Sequence, residues 1–315
     1  MVNAAFTENK SNAFDKKGFW FHLKRDKFLY LLLLLPMAYI LIFKYAPLYG
    51  ILMAFQDYDI FKGISGSHWV GLDVFKFIFH QNDFYRALKN TLVLNFLDLI
   101  AGFPAPIILA ILLNELRNEK FKKVTQTILY LPHFLSWVII GGMAYLLLSS
   151  TGMVNNFLSN IGIGRVEFLS EKFHWLVTYV CIGVWQSAGW GTILFLAAMT
   201  SIDKELYEAS AVDGAGRLRK IWHITLPGIR PMISILLILQ LGRMVSIGFD
   251  RPYVIGNPLV RDCCDVISTY VYRVGLGSND FSQATAVGLF QSVVGLAFLL
   301  IANFLTKKIG DQGIW

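Results

Sequence analysis

One arginine, Arg243, lies within a stretch of the sequence that is otherwise strongly apolar. Gln240 precedes it by three residues, so a helix would place the two side chains on one face. Met244 and Ile247 would continue that face. A guanidinium binds carboxylates through paired hydrogen bonds, and a charge inside a hydrophobic segment is a functional candidate by default.

A second group of candidate residues lies in the preceding apolar stretch, which mixes aromatic rings with hydrogen-bonding side chains. Sugars bind to such mixtures, because their C–H faces stack on rings while their hydroxyls bond to amides. These residues are Trp185, Gln186, Ser187, Trp190 and Thr192. Gln283 and Gln291, in the last apolar stretch, are weaker candidates. Each feature also has a structural interpretation, since Trp often anchors a helix at the membrane surface and Gln can bridge two helices.

Arg243 has the same two interpretations. It could pair structurally with Asp98 or with Asp250, which would lie near the outer end of its helix. If it instead faces a cavity, it would suit an acidic sugar such as a uronic-acid oligomer. The sequence leaves both possibilities open.

The sequence indicates no catalytic chemistry. The six histidines are scattered without metal-ligand spacing, and Cys181, Cys263 and Cys264 form neither a zinc motif nor a disulfide framework. There is no nucleophile elbow or paired-carboxylate constellation. We therefore expect no catalytic residues, no metal and no cofactor bound by this chain.

The elements that hold these residues must lie in a bilayer. Hydrophobic residues make up 55% of the 315 residues and charged residues only 16%. The formal net charge of +7 does not indicate nucleic-acid binding, because the cations lie in short loops between apolar runs. We expect an all-α polytopic membrane protein, and the sequence shows no internal repeat and no separate soluble domain.

Apolar runs long enough to cross a membrane predict six spanning helices. Their expected limits are 28–48, 88–113, 124–148, 174–200, 231–249 and 284–305. The predicted organisation is an N-terminal segment (1–27) with an interfacial helix near Gly18–Arg25, a transmembrane domain (28–306) and a tail (307–315). Lys and Arg are denser in one alternate set of loops, which includes both terminal segments. These segments and residues 203–227 should therefore face the cytoplasm.

Residues 203–227, the polar loop, separate the fourth and fifth predicted spans. Asp203 and Glu205 favour the first turn of a short helix from Glu205 to Val212. Gly214 permits a sharp bend. A second, basic helical piece should run from Ala215 to Ile224, and Pro227 should end it. By itself this pattern also fits a solvated amphipathic loop.

The polar loop resembles the EAA loop of ABC importer permeases. The matching pattern is Glu208-Ala209-Ser210, three residues, Gly214, nine residues and Ile224-Thr225-Leu226-Pro227. Ser210 departs from the usual second alanine, but it is also small. Further segments are similar to the LplB-like subfamily of permeases for complex carbohydrates: Tyr45–Gly50, Asp265–Arg273 and Phe281–Trp315.

The resemblance implies the type I ABC importer permease fold, with the polar loop as a cytoplasmic coupling loop. Glu205 to Gly216 would be the coupling helix that fits a groove on a cytosolic ATPase. Residues that would mediate this contact are Tyr207, Glu208, Ala209, Ser210, Asp213, Gly214 and Ala215. The substrate path would use Trp185, Gln186, Trp190, Gln240, Arg243, Met244, Ile247 and Asp250.

The resemblance also implies partners in a bacterial cytoplasmic membrane. They are a second, related permease, two ATPase subunits that carry ATP and Mg²⁺, and an extracytoplasmic solute-binding protein that delivers an oligosaccharide. This chain has no GxxxxGK[ST] loop of its own. Competing hypotheses are a permease for a non-sugar solute, a membrane receptor that does not transport, and a membrane-embedded enzyme.

Overall fold

The computed structural model describes residues 26–308, which belong to two compact units that divide between Leu52 and Met53. The interfacial helix expected near Gly18–Arg25 and the residues after Lys308 lie outside this range. Within the described range, six helical stretches are long and apolar enough to cross a membrane. This number confirms the prediction.

The first of these stretches, α1 (Lys27–Phe55), begins in the first unit. It is α-helical over Lys27–Ile40, has a wide π-helical turn over Leu41–Tyr45 and continues as a tighter 3₁₀ helix over Ala46–Phe55. No side chain between Lys27 and Tyr45 is buried. A helix that is apolar on all sides and exposed on all sides fits a lipid environment.

The second unit is almost entirely helical. Its elements in chain order are β1 (Gln56–Asp57), α2 (Gly63–Gly66), β2 (His68–Trp69), α3 (Asp73–Ile78), α4 (Asn82–Asn114), α5 (Glu119–Tyr130), α6 (Trp137–Leu148), α7 (Met153–Asn160), α8 (Lys172–Thr200), α9 (Lys204–Val212), α10 (Arg217–Gly242), α11 (Asp250–Ile255), α12 (Arg261–Cys264), α13 (Ile267–Tyr272) and α14 (Phe281–Lys308). The two strands pair antiparallel, with Gln56 opposite Trp69 and Asp57 opposite His68.

Wide turns interrupt several of these helices. They lie at Asp98–Gly102 in α4, at Ile221–Thr225 in α10 and at Arg273–Gly277 after α13. Such turns often occur where a helix must redirect a functional side chain.

The third predicted span, 124–148, is wrong as one continuous helix. Residues Leu131–Phe134 form a 3₁₀ turn between α5 and α6, and Ser136 caps α6 by accepting from the Ile139 N–H at 3.3 Å. The physical reason is Pro132, which lacks the N–H that a continuous helix needs. The membrane-length stretch in this region is Trp137–Asn160, comprising α6 and α7.

Small residues and buried side chains hold the spanning helices together. α8 packs against the second half of α4, and α10 packs against α14. A Cβ on Gly189 would lie 1.9 Å from the carbonyl oxygen of Leu129, so α5 and α8 approach backbone to backbone. The α4–α8–α10 contact contains the buried cluster Ala110, Phe195, Met199 and Ile229.

Two polar side chains of α4, the amide of Asn90 and the hydroxyl of Thr91, hold the segment around α12 and α13. The side chain of Asn90 donates to the carbonyls of Asp262 and Asp265, each at 2.9 Å. The Thr91 hydroxyl accepts from the Ile267 N–H at 2.9 Å. Asp265 in turn accepts from Arg273 at 2.8 Å. Backbone C=O and N–H groups of this irregular segment therefore find hydrogen-bond partners within the protein.

Candidate functional site

The polar loop folds as a capped helix, a bend and a second helix. The carboxylate of Asp203 accepts from the Glu205 N–H at 2.9 Å and so caps α9. After Val212 the chain closes with two backbone bonds: the Ala215 N–H donates to the Ser210 carbonyl at 2.9 Å, and the Gly214 N–H donates to the Ala211 carbonyl at 3.1 Å. This pair of bonds is a Schellman motif.

Gly214 is the residue on which this bend depends. Its φ is +72°, a left-handed conformation that glycine adopts without steric cost. A Cβ there would meet nothing within 4 Å, so the glycine is required by the backbone angle and not by crowding.

Tyr207 ties α9 to the helix that follows. Its hydroxyl lies 2.9 Å from the Thr225 hydroxyl, which is buried, and its carbonyl accepts from the Ser210 hydroxyl at 2.8 Å and from the Lys220 ammonium at 3.4 Å. Glu208 and Ala209 are exposed on the remaining face. Large apolar side chains that are also exposed beside them are Leu206, Val212, Leu218 and Trp222. The polar loop thus presents exposed apolar side chains together with the carboxylate of Glu208, and its other acids, Asp203, Glu205 and Asp213, are exposed as well.

Pro227 does not end the second helix, contrary to the sequence prediction. The helical stretch continues past Pro227 and runs from Arg217 to Gly242 as α10. The wide turn Ile221–Thr225 lies just before Pro227, where the hydrogen-bond pattern already changes. The missing proline N–H is therefore tolerated at this position.

The predicted span 231–249 also ends earlier, at Gly242, and Arg243 is its C-terminal cap. Met244 and Ile247 therefore do not continue the helical face of Gln240, and this expectation is wrong. Met244 is buried and Ile247 packs against a buried cluster, while Asp250 is exposed and begins α11.

Two amides from other spans hold the unwound segment 243–249. The Asn95 side chain donates to the Met244 carbonyl at 2.7 Å and to the Arg243 carbonyl at 3.4 Å. The Gln291 side chain donates to the Val245 carbonyl at 2.8 Å. In a bilayer, backbone that leaves the helix needs such partners. This contact gives Gln291 a structural role in the described chain.

Gln240 and Arg243 line one cavity of about 410 Å³, the loop-side cavity. α8 contributes Ser187 and Gly183 to its wall, and α4 contributes Asp98. The Arg243 side chain is exposed, and no ion pair to it is found among residues 26–308. The predicted pairing with Asp98 or Asp250 is thus absent from this part of the chain.

The aromatic candidates of α8 do not join this cavity. Trp190 stacks on the His133 ring with centroids 4.7 Å apart, and Gln186 is buried with its amide directed to the His133 carbonyl at 3.5 Å. Trp185 is half exposed on the helix surface. The residues predicted to form one substrate path therefore lie in separate places. Gln240 and Arg243 line the loop-side cavity, and Gln186 and Trp190 contact His133. Met244 and Ile247 belong to the unwound segment 243–249.

Sequence reasoning missed Arg251, which pairs with Asp98 inside the helix bundle. Its two terminal nitrogens lie 2.7 and 3.1 Å from the two carboxylate oxygens of Asp98. Arg251 follows the end of the predicted span 231–249, so it was not among the charges expected inside the membrane. The signal that was available is Asp98 itself, since an acid within a spanning helix requires a partner.

Comparison with known proteins agrees with this architecture. Residues 85–311 match the family described as the binding-protein-dependent transport system inner membrane component. Two relatives come from Bacillus subtilis (strain 168). Protein LplB is 46% identical over 294 residues, 93% of this chain and 92% of that protein. The polygalacturonan/rhamnogalacturonan transport system permease YteP is 46% identical over 301 residues, 95% and 94% of the two chains.

A solved structure also aligns over nearly the whole chain. It is a bacterial ABC transporter involved in the import of the acidic polysaccharide alginate, with 43% identity and a TM-score of 0.84 over 92% of this chain and 98% of that one. The family model and these relatives together cover both the spanning helices and the polar loop. The chain therefore belongs to the binding-protein-dependent transport inner membrane components, the non-catalytic permease subunits of ABC importers, whose ATPase is a separate subunit.

Proposed function

We propose that this permease imports acidic oligosaccharides delivered by an extracytoplasmic solute-binding protein. The observation that carries the cargo assignment is Arg243, an exposed guanidinium on the wall of the loop-side cavity with no ion-pair partner among residues 26–308. An intramembrane charge is costly without a partner, so a carboxylate-bearing ligand would find a preformed site. The named activities of two relatives, with polygalacturonan and with alginate, support the same class of cargo.

The polar loop would dock on the ATPase. Its exposed apolar side chains and the exposed carboxylate of Glu208 suit an apolar groove that carries a basic residue. The left-handed bend at Gly214 and the bond from Tyr207 to Thr225 would transmit movement of α9 to α10, which ends at Arg243. Closure of two ATPases would thereby reorient the cavity. The other proposed components are a second permease and two ATPases, with ATP and Mg²⁺ bound only to the ATPases.

The proposed orientation places the polar loop and both termini in the cytoplasm of a bacterium. Its support is the density of Lys and Arg in that set of loops. The unwound segment and α11 would then lie toward the extracytoplasmic side, where the binding protein delivers its sugar.

Capture of the tagged permease from its native membranes in mild detergent tests the docking surface. The wild type should capture an ATPase and a second permease, whereas Glu208→Arg should lose the ATPase because like charges would meet in the groove. Glu119→Arg, a matched change at an exposed acid on α5, should retain both partners. If Glu208→Arg captures as much ATPase as the wild type, this docking surface is wrong.

Uptake by cells or proteoliposomes that contain the whole importer tests the cargo. Arg243→Gln should lower uptake of an oligogalacturonate by about tenfold or more, the usual worth of a charged hydrogen bond. Uptake of the carboxyl-reduced, neutral oligosaccharide should change little. Arg261→Gln, at an exposed arginine outside the cavities, is the control. Equal uptake of the acidic sugar by wild type and Arg243→Gln would refute this assignment and favour a different solute.

A further inference from the structure

Two cavities meet at the Asp98–Arg251 ion pair. The loop-side cavity includes Asp98, Arg251, Gln240 and Arg243, and lies along α8 from Gly183 toward the polar loop. A second cavity of about 230 Å³, the far cavity, lies on the other side of the pair. It is lined by Asn95, Asp98, Trp137, Tyr179, Ser246, Ile247, Gly248, Asp250 and Arg251. The ion pair is therefore a wall common to both cavities.

Several contacts position the guanidinium of Arg251 in this pair. One terminal nitrogen of Arg251 also donates to the Tyr179 carbonyl at 2.6 Å. The guanidinium lies 3.7 Å from the centre of the Tyr179 ring and 5.6 Å from that of Trp137. A Cβ on Gly183 would come within 2.2 Å of Arg251, so α8 leaves room for the guanidinium with a glycine. The Arg251 and Asp98 side chains remain 13% and 20% exposed, so both can still be reached from the cavities.

Two residues that line the far cavity, Tyr179 and Arg251, each carry a buried polar atom that has no hydrogen-bond partner in the described chain. Among residues 26–308, neither the buried Tyr179 hydroxyl nor Nε of Arg251 has a hydrogen-bond partner. Tyr179 is fully buried and lines this cavity. Buried polar groups are normally satisfied, so these two atoms leave hydrogen-bonding capacity at the pair that becomes usable only when the pair rearranges.

We infer that the Asp98–Arg251 pair is a partition in the substrate path that an acidic sugar opens by exchange. The substrate carboxylate takes the place of Asp98 on the guanidinium of Arg251 and then passes to Arg243. Arg251 stays paired throughout, whereas a neutral sugar would leave it unpaired inside the membrane. This inference rests on the proposed function, since it assumes an acidic cargo, and it makes Arg251 and Asp98 determinants of specificity.

Equilibrium binding of radiolabelled trigalacturonate to the purified importer complex, without the solute-binding protein, tests the exchange. Asp98→Asn removes the competing carboxylate and leaves the shape of the side chain. It should bind the acidic sugar about tenfold more tightly, because the sugar carboxylate no longer competes with Asp98 for the charge-assisted hydrogen bonds of Arg251. It should nevertheless import this sugar more slowly. Binding of the carboxyl-reduced sugar should not change. A purely structural role for Asp98 would weaken binding of both sugars.

Asp265→Asn is the matched control, because Asp265 also pairs with an arginine, at 2.8 Å, but lines neither cavity. It should leave both affinities unchanged. If Asp98→Asn does not fold, Arg251→Lys provides the test: a point charge lacks the paired donors, so acidic-sugar affinity should fall about tenfold while neutral-sugar affinity stays constant.

An Asp98→Asn importer that binds trigalacturonate no more tightly than the wild type overturns the inference. So does an Arg251→Lys importer that loses acidic and neutral sugar equally. Failure of the proposed cargo is visible separately, because the wild-type importer would then not take up trigalacturonate at all.

Discussion

Replacing Gly214 by alanine should weaken docking of the ATPase and the stimulation of ATP hydrolysis without unfolding the permease. An L-residue in the left-handed conformation costs about 1–2 kcal/mol relative to glycine. The φ of +72° at Gly214 imposes this cost in full, and an added Cβ would meet no atom within 4 Å that could increase it. At about 1.4 kcal/mol per factor of ten, the equilibrium constant for forming the bend would fall about 5- to 30-fold.

The assay is ATPase activity of the complete importer with and without the loaded binding protein, together with capture of the ATPase. Gly214→Ala should lower the ATPase affinity and the stimulated rate by about 5- to 30-fold, following the free energy of the bend. Gly214→Asn should lie between alanine and wild type, because asparagine tolerates this conformation. The melting temperature of the spanning domain should hardly change, since the bend is exposed.

Gly216→Ala is the control within the same loop. Gly216 has a φ of −68°, and an added Cβ there also meets nothing within 4 Å. It should therefore behave like the wild type. If Gly214→Ala couples as well as Gly216→Ala does, the left-handed bend is not what positions α9, and the argument from φ is refuted.

Three further predictions concern stability and reactivity. Asn95→Ala should lower the free energy of unfolding in detergent by about 1–3 kcal/mol, because the Met244 carbonyl would be left unsatisfied; an unchanged thermal midpoint would contradict this. Gly189→Ala should cost about 1–3 kcal/mol by forcing α5 from α8, whereas Gly288→Ala, with open space around it, should melt like the wild type. Burial raises the pKa of Cys264 to about 11, so its alkylation at pH 8 should be about 100-fold slower in the folded protein than in denaturant, measured by mass spectrometry. Because the thiol ionises at a lower pH in the unfolded chain than in the folded protein, Cys264 also lowers the free energy of unfolding as the pH rises above the ordinary thiol range. Equal alkylation rates in the folded and denatured protein would contradict the burial of Cys264.

The spanning helices could be located from hydropathy because a helix that crosses a bilayer needs a minimum length of apolar sequence. That length can be counted directly along the chain. Hydropathy placed α8 almost to the residue, expected at 174–200 and found at Lys172–Thr200. It could not locate the breaks at Leu131–Phe134 and after Gly242, because an average over a long apolar run hides single residues such as Pro132, His133 and Arg243. What ends these helices is a proline in one case and, in the other, amides from distant spans that bind the freed carbonyls.

The polar loop was predictable for a different reason. Its cap at Asp203 and its bend at Gly214 are local features, each determined within a few residues of sequence, and the structure has both. The Asp98–Arg251 pair was not predictable, because its two residues are 153 positions apart and three helices must pack before they meet. A charge within an apolar run identified Asp98 and Arg243 as candidate functional residues. It did not indicate whether Arg243 or Arg251 would pair with Asp98.

The wide turn at Asp98–Gly102 has a consequence for changes in chain length. Its hydrogen bond joins the Asp98 carbonyl to the Phe103 N–H, one residue farther than in a regular α-helix. Residues before and after the turn are therefore out of phase by about 100°. Deleting a single residue inside it would therefore give a continuous α-helix that keeps Asp98 and the small residues of α4 that pack on α8 in their present positions. Gain or loss of one residue elsewhere between them would rotate Asp98 by about 100° relative to those small residues, so this turn is the place in α4 that should best tolerate the loss of one residue.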